Sequence, residues 1–460
     1  MKTLYTDFLV IGSGPAGEKA AIQAAKLGKK VIVVEEQAHL GGASLNSGTI
    51  PSKSLREAII DLKDFYKYSY YAKKSSAVDI SINDLNYRLQ KTLDNQRNLL
   101  QAHFKKNSVE VCFGRARFFS PYQVEVWNKE KCSVLIHADK ILIASGSIPR
   151  NPSHVPFDGK KIFDSTRLLS IDALPRSMIV LGGGIIGAEY ASFFAALCTK
   201  VYLVDKKSRM LPLIDSEIGM LLQKELTDLG LEFLGGKEFK AIQKSSKGVS
   251  VAFTDGQEIE ADILLYALGR QAQVDQLAIQ NAGIEVDEKG FIPVNSLFQT
   301  SLNHIYAVGD VIGAPALAAT SMEQGRLAAR NAFGAKSHHF PEFFPIGIYT
   351  IPEISYCGAT EDALQRNKIA YEVGRAHYHE IARNEIAGST PGMFKILFHK
   401  DTKEILGIHI VGRSATEIIH IGQIAMSFNA RIDYFVDQVF NYPTYAEGYR
   451  IAALNGINKL

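Results

Sequence analysis

Asp7-Phe8-Leu9-Val10-Ile11 runs straight into Gly12-Ser13-Gly14-Pro15-Ala16-Gly17. The apolar run has strand length. The glycine-spaced turn follows with no linker, and Glu18 to Leu27 is then rich in alanine, the best helix former. A second apolar run, Lys30 to Val34, ends at Glu35. Strand, glycine turn, helix, strand and acid is the order in which a helix N-terminus holds a pyrophosphate and a carboxylate accepts from ribose hydroxyls.

One such turn is weak evidence, because glycine turns are common. The unit recurs, however. Met178 to Leu181 is a strand, Gly182-Gly183-Gly184-Ile185-Ile186-Gly187 a turn, Ala188 to Leu197 a helix, and Lys200 to Val204 a strand ending at Asp205. In both copies the acid falls 23 residues after the first glycine. Two copies in one register predict two dinucleotide folds, and hence two dinucleotides. Ile141 to Ser147 and Asp262 to Arg270 are apolar strands ending in small residues, and each is expected to close one of the two sheets.

The chain has 460 residues, enough for about three domains. Apolar residues make up 46% and charged residues 22%, which excludes global disorder. A net charge of +3 gives no case for nucleic acid or an anionic membrane. No apolar run reaches the roughly 20 residues of a membrane span, and Asp7 breaks the only stretch resembling a leader. The expectation is a cytoplasmic protein. Cys112, Cys132, Cys198 and Cys357 are far apart, which excludes a disulfide framework and any Cys-x-x-Cys site. No metal site is expected.

Ser54 to Lys106 reads as helical, with Ile82, Leu85, Leu89, Leu93, Leu100 and Phe104 at helical steps, and is assigned to packing alone. His304 to Val308 is a strand running into Gly309-Asp310. Two readings of Asp310 stand: a cofactor contact, or a cap for a helix over Ala316 to Ala332. Beyond Pro341 strand-like runs (Phe394 to Phe398, Ile405 to Val411) alternate with a helical one (Glu417 to Ser427) and no glycine turn recurs. The predicted class is α/β. It has two Rossmann-like dinucleotide-binding domains, residues 1–148 with 270–338 and residues 149–269, plus a C-terminal α+β domain over 339–460.

Together these stretches resemble the FAD-dependent pyridine nucleotide–disulfide oxidoreductases, such as lipoamide dehydrogenase and glutathione reductase. The resemblance runs through GGASLNSGTIPSK (Gly41 to Lys53), ASGS (Ala144 to Ser147), GGGIIGAEY (Gly182 to Tyr190), YALGR (Tyr266 to Arg270), YAVGD (Tyr306 to Asp310) and YTIPEISYCG (Tyr349 to Gly358). The disulfide reductases carry Cys-x-x-x-x-Cys in the first of these stretches. Here the positions are Ser44 and Thr49. A hydroxyl cannot replace a thiolate in disulfide exchange. The histidine that those enzymes place before Pro-Thr is Tyr442, with Glu447 retained. A phenol of pKa ~10 is a poor proton shuttle near neutral pH. Both departures lead to the branch of the family that lacks the dithiol. The stretches Gly48 to Lys53, Gly347 to Ser355 and Phe440 to Leu460 resemble that branch closely, although its members keep the first cysteine, here Ser44.

The resemblance implies tightly bound, non-covalent FAD held by Gly12, Gly14, Gly17, Glu35, Glu36, Gly41, Gly42, Ser44, Lys53, Ala116, Ser145, Gly146, Asp310 and Ala318. It implies NAD and NADP as substrates at Gly182, Gly184, Ile186, Gly187, Glu189, Asp205, Lys206 and Gly269. Lys53 and Glu189 take the catalytic roles: the cation stabilises negative charge on reduced flavin, and the acid pairs with it and meets the nicotinamide. Ser44 sits beside the flavin or is a plain turn residue. Asp205 favours a free 2′-hydroxyl, whereas Lys206, Lys207 and Arg209 either favour a 2′-phosphate or form a solvated strand end.

The activity implied is an FAD-dependent NAD(P)+ transhydrogenase of the Si type, with ping-pong transfer from NADPH to flavin to NAD+. Two alternatives stand beside it: an NAD(P)H oxidase or diaphorase passing electrons to oxygen or a quinone, and a non-catalytic nucleotide-binding redox sensor. The partner implied is a second copy of the chain, in a homodimer or larger assembly, with Tyr442 and Glu447 near the other subunit's flavin.

Overall fold

The computed structural model describes residues 2–67, 82–129, 131–246, 248–336 and 338–460. The first unit is a seven-stranded sheet. Its parallel core has the order Glu110–Phe113, Val31–Glu35, Lys2–Ile11, Lys131–Ile143, Ile305–Ala307. The strands Arg115–Ser120 and Gln123–Asn128 extend it as an antiparallel meander. The first strand begins five residues before Asp7, because Lys2 to Thr6 pair with Val134 to Ala138 of that meander. An exposed Lys2-Thr3 start carries no apolar signal in the sequence.

The second unit repeats the plan with five parallel strands in the order Leu231–Gly235, Lys200–Asp205, Ser177–Leu181, Ile263–Tyr266, Ile162–Asp164. It too carries a three-stranded meander, from Phe239–Lys244 to Glu258–Ala261. The strands expected to close the two sheets join them as interior strands instead: Lys131–Ile143 lies between Lys2–Ile11 and Ile305–Ala307, and Ile263–Tyr266 between Ser177–Leu181 and Ile162–Asp164. The chain leaves the first sheet through Ser147–Pro149 and returns through Arg270–Ala272, and these two short strands pair antiparallel. The third unit is a five-stranded antiparallel sheet in the order Ile346–Ile348, Ile354–Gly358, Ile405–Val411, Met393–His399, Tyr371–His377, with the helices Ala415–Ser427 and Glu447–Ile457.

Thr49–Lys67 and Ile82–Lys106 of the expected helical stretch are helices. Residues 68–81 and the side chains of Ile82 and Leu85 lie outside the described residues. Leu89, Leu93, Leu100 and Phe104 are buried against the first sheet, as a packing stripe should be. Leu55 and Ile59 share one apolar cluster with Met178 and Phe193 of the second unit and with Ile348 and Ile351 of the third. The three units therefore meet on the helix that carries Lys53. No described helix is long and apolar enough to cross a membrane.

Candidate active site

Each glycine turn is built by close approach. Gly12 has φ +101° and Gly182 has φ +111°, a region open to glycine. A Cβ at Gly12 would lie 2.4 Å from the Ala144 carbonyl oxygen, and one at Gly182 would lie 2.6 Å from that of Ala267. Gly17 and Gly187 are tighter still, with a Cβ 1.9 and 1.8 Å from the carbonyl oxygens of Gly12 and Gly182. Gly14 and Gly184 are extended N-caps of the helices Pro15–Lys26 and Ile185–Ala196, and neither cap offers a side chain. The N–H groups of those helix starts are left to a ligand.

The acids close the turns from the second strand. Glu35 Oε2 accepts from the Ser13 N–H (2.9 Å) and hydroxyl (2.5 Å), and Oε1 accepts from the Gln37 N–H (2.8 Å). The Ser13 hydroxyl accepts from the Gly41 N–H at 2.9 Å, which ties the turn to the stretch Gly41 to Lys53. Asp205 does the same job, accepting from Gly183 N–H at 2.6 Å and Lys207 N–H at 2.8 Å. Each carboxylate keeps lone pairs beyond these bonds, so the ribose role and the turn-building role are compatible.

The first turn fits FAD on several observations. Its helix N-terminus is uncapped. Gly42 lies so near Gly14 that a Cβ on Gly42 would sit 2.9 Å from the Gly14 Cα, so backbone lines the approach. The Ser145 hydroxyl, beside Gly12, is buried with no hydrogen-bond partner. Gly146 is at φ +71° with open space around it. A cavity of about 380 Å³ lies where the second strand ends, lined by Glu36, Phe113, Gly114, Arg115 and Trp127. Glu36 is exposed there and pairs with Arg115 at 2.9 Å. Ala116 buries its side chain in the first core, so only its backbone is available to a ligand.

Asp310 does not cap the following helix, whose N-cap is Leu317. It stands instead in the short helix Gly309–Ile312 and accepts from the Ser147 hydroxyl at 2.6 Å. Arg270 donates to the Ser147 hydroxyl (2.8 Å) and carbonyl (2.6 Å). Burial lowers the Arg270 pKa, and the Asp310 and Asp164 charges oppose that shift. This knot locks the paired crossing strands. Ala318 opens the helix Ala318–Ala332.

Lys53 and Glu189, 136 residues apart, meet at 2.7 Å. Glu189 is almost buried, and its second oxygen accepts from the Tyr349 N–H at 2.8 Å. The Tyr349 ring lies under the ammonium, 4.7 Å from Lys53 Nζ to the centroid. Arg56, one helical turn after Lys53, pairs with Glu353 at 3.2 Å, both side chains nearly buried. Burial pushes the Glu353 carboxyl above its ordinary range, against the Arg56 charge. Ser44 is half-buried in the short helix Gly42–Asn46, and Thr49 is exposed at the start of Thr49–Lys67. None of the four cysteines forms a disulfide or lies in this stretch. At the second turn Ile186 is half-buried, Lys206 is exposed, and Gly269 has φ +104° with open space around it. Tyr442 is 71% exposed, while Glu447 Oε2 is buried with no hydrogen-bond partner.

Sequence reasoning gave no role to Tyr349, Arg56 or Glu353. All three lay within or beside quoted motifs, and the i, i+3 spacing of Lys53 and Arg56 was the available signal. It also missed Lys395, fully buried, whose Nζ holds Asp215 and Glu217 at 2.8 Å each and also Glu361. Asp215, Glu217 and Glu361 are close enough together to suggest a cation site, but the ammonium already stands among them. This knot ties the second unit to the third. A cavity of about 460 Å³ beside it, lined by Lys224, His377 and His379 among others, includes none of the residues assigned to a nucleotide.

Residues 6–325 match the pyridine nucleotide-disulphide oxidoreductase family, and residues 344–453 match the dimerisation domain of the same family. The chain is 47% identical to a soluble pyridine nucleotide transhydrogenase of Mycobacterium bovis (strain BCG / Pasteur 1173P2), over 99% of this chain and 97% of the relative. It is 43% identical to one of Serratia proteamaculans (strain 568), over 99% and 98%. Its fold matches the HOCl-induced flavoprotein disulfide reductase RclA from Escherichia coli with a TM-score of 0.87 at 26% identity, covering 97% of this chain and 99% of that one. The twin glycine turns, the paired crossing strands and these full-length matches agree: the chain belongs to the pyridine nucleotide-disulphide oxidoreductase family.

Proposed function

We propose that this protein is an FAD-dependent NAD(P)+ transhydrogenase that moves hydride from NADPH to NAD+ and back. It works as a homodimer in the cytoplasm. The observation that carries the reading is the pair Ser44 and Thr49 beside two intact dinucleotide turns. With no thiol in that stretch, electrons have no dithiol to enter, and a second nicotinamide becomes the acceptor. The named relatives at 42–47% identity support it.

We assign residues 1–148 with 270–338 to the FAD domain, 149–269 to the NAD(P) domain and 339–460 to the interface domain. Bound FAD supplies the hydride carrier between the two nicotinamides. Gly12, Gly14 and Gly17 bring backbone N–H groups to its pyrophosphate, Glu35 takes the ribose, and Ser145 offers its unpartnered hydroxyl. The Lys53 ammonium favours negative charge at the reacting end, held in place by Glu189. At the second turn Asp205 accepts from the free ribose of NAD, and Lys206 serves the 2′-phosphate of NADP.

NADPH and NAD+ exchange one hydride, and no proton is gained or lost. The reaction therefore needs no general acid, which suits a tyrosine at position 442. In the dimer Tyr442 and Glu447 face the flavin of the other subunit.

The test is steady-state transfer from NADPH to thio-NAD+ without oxygen, with lipoamide and oxygen as separate acceptors. Rapid transfer with parallel double-reciprocal lines is expected. Lipoamide reduction at comparable rates would overturn the reading, and faster reduction of oxygen would move the enzyme among the oxidases.

A further inference from the structure

The segment Tyr349 to Ile351, contributed by the third unit, makes three bonds to two other units. The Tyr349 N–H donates to Glu189 Oε1 (2.8 Å), the Thr350 carbonyl accepts from Arg56 Nε (3.2 Å), and the Ile351 N–H donates to Ser192 Oγ (3.1 Å). Ser192 in turn donates to the Glu189 carbonyl at 2.7 Å. The segment thus grips the helix of Lys53 and the helix of Glu189 together. Two cations of one helix face the Tyr349 ring, Lys53 Nζ at 4.7 Å and Arg56 Cζ at 5.9 Å. Lys53 pairs with Glu189, and Arg56 pairs with the buried Glu353 at 3.2 Å and with the exposed Glu57 at 2.8 Å.

We propose that Tyr349 is a positioning residue for hydride transfer: its ring and its N–H keep Lys53 with Glu189, and Arg56 with Glu353, at the junction of the two nucleotide domains. The proposal rests on the reading that Lys53 serves the flavin. A lysine ammonium is a flexible point charge that one carboxylate does not orient. With both Glu189 oxygens engaged, that carboxylate cannot turn. With the ring in contact, the ammonium is shielded from water on one side and attracted by the π-face. Without the ring, two cations three residues apart on a helix and the carboxylates around them are free to exchange partners.

The test uses the flavin-loaded enzyme with Tyr349→Leu and Tyr349→Phe, and with Lys53→Met as reference. It reads the two-electron midpoint potential of the flavin, and kcat and KM for NADPH to thio-NAD+. Tyr349→Leu is expected to lower kcat about tenfold, within the reach of a partly desolvated cation–π contact, with KM within about twofold. Its potential is expected to move negative by about 30 mV, the two-electron equivalent of tenfold. Tyr349→Phe keeps the ring and the N–H and is expected to rescue most of both.

Equal losses in the two variants, or a kcat loss with the potential unmoved, would overturn the proposal. If Lys53→Met shifts the potential and Tyr349→Leu does not, the proposal alone fails. If Lys53→Met leaves the potential in place, the reading of Lys53 fails and takes the proposal with it. Tyr349→Met, nearer in length, carries the same expectations if the leucine variant does not retain flavin.

Discussion

The two glycine turns share almost every backbone contact, and yet their acids live in different surroundings. Glu35 is 5% exposed and belongs to a closed polar knot with Ser13, Gln37 and Gly41. Asp205 is half-buried, and a rim of cations follows it: Lys206 and Lys207 are exposed, and Arg209 reaches across to Asp362 at 3.3 Å. The first arrangement suits a resident that never leaves. Its acid is locked by neighbours before any ligand arrives, so little ordering is left to binding. The second suits a visitor. On the proposed assignment, an acid that accepts from a free ribose beside cations that attract a phosphate discriminates weakly between the two nicotinamide nucleotides. The proposed roles, retention at one turn and exchange at the other, thus fall to the residues around one carboxylate in each.

The sharpest way to break this comparison is to block each turn in the same way. Gly17→Val and Gly187→Val both drive carbon into a carbonyl oxygen, costing about 3 kcal/mol or more locally. Gly17→Val should yield colourless protein. Gly187→Val should stay yellow and lose NADPH binding, read as absorbance and as a fluorescence titration. Loss of colour from both would mean that the turns are not separate sites.

The next largest effect falls on what holds the visitor's domain in place. Lys395→Met leaves the buried Asp215 carboxylate without a cation and takes one partner from Glu217 and Glu361, and it should cost about 3–5 kcal/mol by denaturant unfolding. Burial alone would raise Asp215 and Glu217, but the hydrogen bond from Lys395 holds Asp215, and hydrogen bonds from Arg375 and Lys395 hold Glu217, below the ordinary carboxylate range. Their contribution is therefore present above pH ~4 and is lost as pH falls through the depressed values. Lys395 is raised despite its burial, through hydrogen bonds to Asp215, Glu217 and Glu361. Its contribution is present below pH ~10.4 and is lost as pH rises through the raised value. The Lys395→Met difference should shrink at both ends of a pH series. A difference that is constant with pH would mean that packing, not charge, holds this contact.

A smaller effect separates the two acids. Asp205→Asn should weaken NADH binding about tenfold and NADPH binding by about twofold or less, since a charged acceptor is lost only to the nucleotide with a free 2′-hydroxyl. Equal weakening would assign Asp205 to the turn alone. The smallest effect is expected at Glu36, whose exposed pair with Arg115 makes Glu36→Gln worth about 0.5 kcal/mol or less by thermal unfolding.

Most of the scaffold was legible because its signals are local. A glycine at φ above +100° between a strand and a helix, and an acid 23 residues later, are written in consecutive residues. The same holds for Leu89 to Phe104, a stripe of one helix face. What escaped depends on distance along the chain. The strand start at Lys2 exists because residues 134–138 offer a partner. Lys395 looks like a surface charge in MFKILFH, and its burial becomes tolerable only through acids about 180 residues upstream and at Glu361. Asp310 was ambiguous for the same reason: its partner Ser147 is 163 residues away, and no local pattern separates that bond from a helix cap. Tyr349 sat in a motif that resemblance had marked, but only the assembled junction shows the ring under the Lys53 ammonium.

The paired crossing strands Ser147–Pro149 and Arg270–Ala272 also set an order of events during synthesis. Every strand of the second sheet lies between Ile162 and Tyr266, so that sheet is complete in the nascent chain while the first still lacks Ile305–Ala307. Emerging N-terminus first, the protein makes the opening of its first unit earliest and finishes it after its second. The inner unit, its sheet already complete, is the first that can fold as a unit on the ribosome. The outer unit then has only a short gap to close, because its two loose ends are already held side by side.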